Sequence, residues 1–182
     1  MVTEFQREKY TRRFRLLDRD GDGAITEADY ESQARRMVAA SGSAADPPKV
    51  EAIYAAYRGL WAVLCRAANK DTDAEVSQEE FLAICVASAD DPEGGFAWLI
   101  GPGVAAVMTS FDSDGDGRLS GVEFRAWQQA NGIDEVHAMA TLRLVDRDGD
   151  GHVSAEELSR AALEFYTSAD PEAPGNGIFG VT

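Results

Sequence analysis

Three six-residue strings carry the chemistry most available to this chain. Asp18-Arg19-Asp20-Gly21-Asp22-Gly23, Asp112-Ser113-Asp114-Gly115-Asp116-Gly117 and Asp146-Arg147-Asp148-Gly149-Asp150-Gly151 differ at a single variable position. Five fixed positions would coincide by chance in such a chain on the order of once in a thousand sequences, so the strings are a repeat. Carboxylates at alternate positions offer hard oxygen donors to one point in space, and the partner they suit is a hard cation, calcium above all. The glycine at position 6 of each string (Gly23, Gly117, Gly151) permits the positive φ of a sharp turn, which costs other residues about 1–2 kcal/mol.

Each string continues as a twelve-residue calcium loop of the EF-hand type. Position 7 supplies a backbone carbonyl from Ala24, Arg118 or His152. Position 8 is apolar (Ile25, Leu119, Val153), as a short strand pairing with a neighbouring loop requires. Position 9 is a hydroxyl (Thr26, Ser120, Ser154) that can cap the exiting helix and ligate through water. Glu123 and Glu157 at position 12 are long enough to bind through both oxygens, whereas Asp29 is one methylene shorter. The candidate ligands are therefore Asp18, Asp20, Asp22, Ala24 and Asp29 in the first loop, Asp112, Asp114, Asp116, Arg118 and Glu123 in the third, and Asp146, Asp148, Asp150, His152 and Glu157 in the fourth. The short Asp29 predicts that the first site discriminates least against magnesium. Without cations such carboxylate clusters repel one another, so metal binding is expected to couple strongly to folding.

The gap from Asp18 to Asp112 is too long for one linker and holds an eroded fourth loop. Aligning Val76 on the apolar position and Glu80 on the last ligand puts Asn69, Asp71, Asp73, Ala74, Glu75 and Ser77 at positions 1, 3, 5, 6, 7 and 9. A charge is lost at Asn69, and Ala74 is expected to take the strained turn. The loop is read as a structural pairing partner, because a lone hand leaves its helices and strand without a mate.

Amphipathic helices must flank every loop, and the periodicity supplies them. Phe5, Tyr10, Phe14 and Leu17 lead into the first loop; Tyr30, Ala34, Met37 and Val38 lead out. Ile53, Tyr57, Trp61 and Leu64 enter the eroded loop, and Phe81, Leu82 and Cys85 leave it. Val104, Val107 and Phe111 precede the third loop; Val122, Phe124 and Trp127 follow it. Val136, Met139, Leu142 and Val145 precede the fourth, with Leu158, Leu163, Phe165 and Tyr166 after it. All these stripes read as core. Ser41 to Pro48 joins the first two hands, Ala89 to Gly95 separates the halves, and Asn131-Gly132 separates hands three and four. Gly101-Pro102-Gly103 should break or kink the helix beginning near Phe96, leaving Trp98 to Ile100 as a separate turn. Ile178 and Phe179 in the tail are expected to fold back into a groove between the halves. The expected architecture is all-α: four EF-hands in two pairs, 1–90 and 91–182, packed into one compact globule with short β-bridges between paired loops.

The chain is 182 residues and 45% apolar, enough for a proper core, with 32 acidic against 17 basic side chains and a net charge of −15. That excess disfavours nucleic acid and anionic membrane as partners. Fourteen of the acids lie within the three intact loops, so three calcium ions would bring the formal charge to −9. Cys65 and Cys85 have no metal-binding neighbours in sequence and read as reduced core residues. Residues 1–20 contain no signal-peptide core, no window reaches membrane-span length, and Val2 excludes myristoylation, so a cytoplasmic protein is expected.

With four hands, an eroded loop at Asn69 to Glu80 and Asp29 ending the first loop, the chain resembles the calerythrin and sarcoplasmic calcium-binding protein family across essentially its whole length. The resemblance implies two EF pairs packed together, three occupied sites and a cytosolic calcium buffer or transporter. Its bacterial branch suits a composition with fourteen Arg and only three Lys. No obligatory protein partner is evident, and a monomer is expected. The alternative is a calmodulin-like sensor that opens an apolar groove; such grooves are Met-rich, and beyond the initiator this chain has only Met37, Met108 and Met139. An enzyme or photoprotein fits poorly. The hands consume the chain, His137 and His152 are the only histidines, and the C-terminal proline typical of such photoproteins is missing.

Overall fold

The computed structural model describes residues 2–91 and 94–180; Pro92 and Glu93, within the linker expected between the halves, lie outside them. Among the described residues the chain is all-α apart from four short strands. Helices α1 (Glu4–Leu17) and α2 (Glu27–Ala40) flank the first loop, and α3 (Pro47–Ala67) and α4 (Gln78–Asp90) the second. Helices α5 (Ala97–Phe111) and α6 (Gly121–Ala130) flank the third, and α7 (Glu135–Val145) and α8 (Ala155–Thr167) the fourth. Each exiting helix begins where the loop chemistry predicts. At α4, α6 and α8 a serine hydroxyl (Ser77, Ser120, Ser154) accepts from the N–H of Glu80, Glu123 or Glu157, whose carboxylate accepts from the serine N–H in return. Such N-caps contribute about 0.5–2 kcal/mol each.

The strands pair the hands. β1 (Ala24–Ile25) runs antiparallel to β2 (Val76–Ser77) with Ile25 opposite Val76, and β3 (Arg118–Ser120) to β4 (His152–Ser154) with Leu119 opposite Val153. All four apolar strand residues are fully buried, each stabilising the fold by about 1.5–3 kcal/mol. One hydrophobic core runs through both pairs: α3 packs on α5 and α2 on α6. Phe96 stacks on Tyr166 at 4.5 Å and lies 6.2 Å from Tyr10, whose hydroxyl donates to the Tyr166 carbonyl at 2.7 Å. Cys65 and Cys85 are free thiols in this core.

The tail forms a 3-10 turn over Pro174–Phe179 against α7 and α8. Ile178 is buried and Phe179 meets Phe165 edge-on at 4.9 Å. A Cβ on Gly175 would collide with the Ala161 carbonyl. Lys9, fully buried, donates to the Ser168 carbonyl at 2.8 Å and to Asn176 Oδ1 at 3.0 Å, tying α1 to the tail; burial pushes its pKa down to about 8.

Three expectations from the sequence are corrected. The Gly101-Pro102-Gly103 triplet does not divide its segment, because α5 runs through it. Pro102 falls in the second turn, so it withholds only the N–H that would serve the Trp98 carbonyl, and packing against α3 and α8 outweighs that loss. Three residues of the apolar stripes face solvent instead of the core: Val122, Val136 and Leu163 are 67%, 77% and 46% exposed. Folded surfaces tolerate single exposed apolar side chains. The linker after α2 is also shorter than its composition suggested, since Pro47 and Pro48 open α3.

Candidate metal centres

In the three intact loops the backbone is drawn around the acidic side chains by the same hydrogen bonds. The position-1 carboxylate (Asp18, Asp112, Asp146) accepts from the N–H groups of positions 4 and 6, between 2.7 and 3.1 Å. The position-3 and position-5 acids accept from backbone N–H two residues on, so the loop's own backbone orients each aspartate. Both glycines of each string have positive φ, from 73° to 93°, so position 4 demands glycine as much as position 6 does.

Carboxylate oxygens of Asp18, Asp20 and Asp22 lie within 4.8 Å of one another, as do those of Asp112, Asp114 and Asp116 and those of Asp146, Asp148 and Glu157. An all-oxygen, multiply charged set of this kind fits a hard divalent cation. The position-7 residues Ala24, Arg118 and His152 open the strands β1, β3 and β4. At position 12, Glu123 bridges the N–H of Ser113 and Ser120 (both 2.8 Å), and Glu157 bridges those of Arg147 and Ser154 (2.8 and 2.9 Å). Partial burial raises the Glu123 carboxyl, but hydrogen bonds from Ser113 and Ser120 outweigh it and hold the group at about 2. Asp29 spans the equivalent N–H groups, Arg19 at 3.0 Å and Thr26 at 2.9 Å, with a shorter side chain that is only 6% exposed.

Asp150 is not among the three grouped acids of the fourth loop. Its Oδ2 accepts from Arg118 Nη1 at 2.8 Å, and Arg118 also reaches Asp116 at 3.4 Å, so one guanidinium links the position-5 acids of two loops. The His152 N–H, with Arg118 beside it, holds the Asp150 carboxyl below its usual range. From the sequence alone Arg118 has only a carbonyl role; it is position 7 of the third loop and the first residue of β3, and its side chain reaches Asp150 of the loop whose strand pairs with it.

The second loop is built differently. Helix α3 ends in a Schellman turn: the Lys70 N–H reaches the Cys65 carbonyl at 2.9 Å and the Asn69 N–H the Arg66 carbonyl at 3.1 Å. The positive φ falls on Asn69 (55°) and not on Ala74, which corrects the expected position of strain. Asparagine tolerates the left-handed region better than alanine does. The position-1 residues of the other loops leave their helices with ψ of 88° to 94° instead. The Lys70 ammonium then lies on the position-7 carbonyl of Glu75 at 2.7 Å and on both oxygens of Glu80, 2.7 and 2.8 Å. A side-chain cation contacts the two groups that would otherwise face a metal. Lys70 was missed because position 2 of a calcium loop carries no ligand; its chain length and charge were the available signal.

A family model described as EF hand matches residues 11–32 and 139–162. Calerythrin of Saccharopolyspora erythraea is 29% identical over 91% of this chain and 94% of its own. The rice calcium-binding protein CML21 (Oryza sativa subsp. japonica) is 31% identical over 80% of this chain and 73% of its own. A calcium-binding protein of Streptomyces coelicolor superposes with a TM-score of 0.74 at 29% identity, covering 89% of this chain and 98% of that one. Loop geometry, strand-paired hands and these likenesses agree: the chain belongs to the EF-hand calcium-binding proteins and resembles calerythrin over nearly its whole length.

Proposed function

We propose that this protein is a cytosolic calcium buffer or transporter with three working sites and no catalytic activity, organised as EF-hand pairs 1–90 and 91–182. The first site comprises Asp18, Asp20, Asp22, the Ala24 carbonyl and Asp29. The third comprises Asp112, Asp114, Asp116, the Arg118 carbonyl and Glu123, and the fourth Asp146, Asp148, Asp150, the His152 carbonyl and Glu157. The short Asp29 contributes one oxygen where Glu123 and Glu157 contribute two, so coordination falls toward six and magnesium competes there most. Lys70 fills the second.

The observation that carries the buffer reading over the sensor reading is the shared core. The apolar faces of the two pairs are buried against each other, Met37 is fully buried, and the Pro174–Phe179 turn lies along α7 and α8. A sensor must expose such faces to a partner. The Streptomyces coelicolor relative is described in terms of prokaryotic calcium-mediated regulation, which keeps the sensor reading as the alternative. Calorimetric titration with calcium, with and without millimolar magnesium, should count three ions and show the weakest discrimination at one of them; two or four ions would overturn the site assignment. Fluorescence of a dye for exposed apolar surface should not rise on calcium binding, and a strong rise would favour the sensor.

A further inference from the structure

The EF-hand chemistry leaves unexplained a cavity of about 60 Å³ at the junction of the two pairs. Its wall is mostly apolar, including Tyr30, Tyr57, Val104, Trp127 and Tyr166, and among the described residues it contains no Asp or Glu. Two polar side chains line it with unsatisfied atoms: Nε and Nη1 of Arg13 and Oε1 of Gln33 are buried without a hydrogen-bond partner among the described residues, while the Gln33 amide N–H donates to Asn131 Oδ1 at 3.4 Å and the Arg13 guanidinium lies beside the Tyr166 hydroxyl. Gln33 is 5% exposed, and the Phe179 ring covers the Arg13 guanidinium at 4.3 Å. A guanidinium in such a wall needs an acceptor, and an anion satisfies it better than water does.

We propose that this cavity is a binding site for a small monocarboxylate with a compact apolar body. Its carboxylate accepts from Arg13, its body meets the Tyr and Val wall, and a hydroxyl, where present, donates to Gln33 Oε1. The volume sets the size. A water takes about 10–15 Å³ on this measure, so the space holds about four waters, or a carboxylate of a few heavy atoms. Because Arg13, Tyr30 and Tyr57 come from α1 to α3 and Val104, Trp127 and Tyr166 from α5, α6 and α8, the occupant touches both EF pairs.

The test is calorimetry, paired with methyl NMR, on the calcium-loaded full chain, with sodium isobutyrate as probe and isobutyramide as its neutral isostere. Saturable isobutyrate binding at one site is expected, weakened at least about tenfold for the amide and for Arg13→Met. Because Arg13→Met is open to misfolding, Gly103→Val serves as a second variant. A Cβ at Gly103, on the cavity wall, would meet no atom within 4 Å, and replacing a helical glycine favours the helix. That variant should fold, bind calcium and lose isobutyrate. Absence of isobutyrate binding, equal binding of acid and amide, or binding that survives in a folded Gly103→Val would overturn the proposal, and the first of these would leave a hydrated cavity only.

Discussion

Replacing Asp114 by Asn should move calcium-free and calcium-loaded stability in opposite directions. In the third loop, oxygens of Asp112, Asp114 and Asp116 lie within 4.8 Å of one another. At that separation each pair of unit charges repels by about 1 kcal/mol in a water-like dielectric, before salt screening. Removing the middle charge abolishes two of the three repulsions. Asp114 Oδ1 accepts from the Asp116 N–H at 3.2 Å, a bond that an asparagine oxygen retains. The calcium-free protein should therefore gain up to about 1–2 kcal/mol, a rise of about 2–8 °C in Tm for a chain of this size. With calcium the variant loses a charged ligand, and a tenfold weaker site stabilises by about 1.4 kcal/mol less. Scanning calorimetry in chelator and in excess calcium reads both. Asp148→Asn, in the cluster with Asp146 and Glu157, should behave alike. A calcium-free Tm that stays put or falls in both folded variants would refute the claim that carboxylate repulsion limits the unloaded protein.

Asp29→Glu restores the missing methylene and should raise the calcium-to-magnesium affinity ratio of the first site severalfold, read by competition titration; an unchanged ratio would remove the reason given for its weak selectivity. Glu80 is held at about 2 by Lys70 and by the N–H and hydroxyl of Ser77, below its ordinary 4.5. The sign follows: its contribution to stability is present above about pH 4.5 and is lost as pH falls toward 2. In Lys70→Met the carboxyl should titrate closer to 4.5 by carbon-detected NMR, with no additional calcium bound, because Asn69 keeps the left-handed turn. Ile178→Ala should cost about 2–5 kcal/mol with or without calcium, judged by denaturant titration, since the residue is 1% exposed.

Loop positions and strand pairing were legible because each rests on a local rule: alternating aspartates, a glycine turn, an apolar residue two places on. Ile25 opposite Val76 and Leu119 opposite Val153 follow from that rule alone. What the sequence hid are choices between competing local solutions. At the eroded loop the turn could fall on Asn69 or Ala74, and only the Schellman bonds of α3 decide it. Pro102 follows a general prohibition, yet the contacts of α5 override it. Val136 fits a helical stripe, but it lies in the first turn of α7 and is left in solvent. Arg118, Arg13 and Gln33 were invisible because their roles depend on a neighbour dozens of residues away.

The ammonium in the second loop gives the two halves different arithmetic. On the three-site reading, β1 pairs an ion-taking loop with one whose cation is covalently attached, so the first site has no titrating neighbour and should fill along a simple hyperbola. Loops three and four are joined by the β3–β4 ladder and by one guanidinium that bridges Asp116 and Asp150. An ion entering either loop competes with the same arginine, and once it is displaced the second carboxylate is already free. The C-terminal pair should therefore fill more steeply than any single loop, so one chain would combine a graded response to calcium with a sharp one.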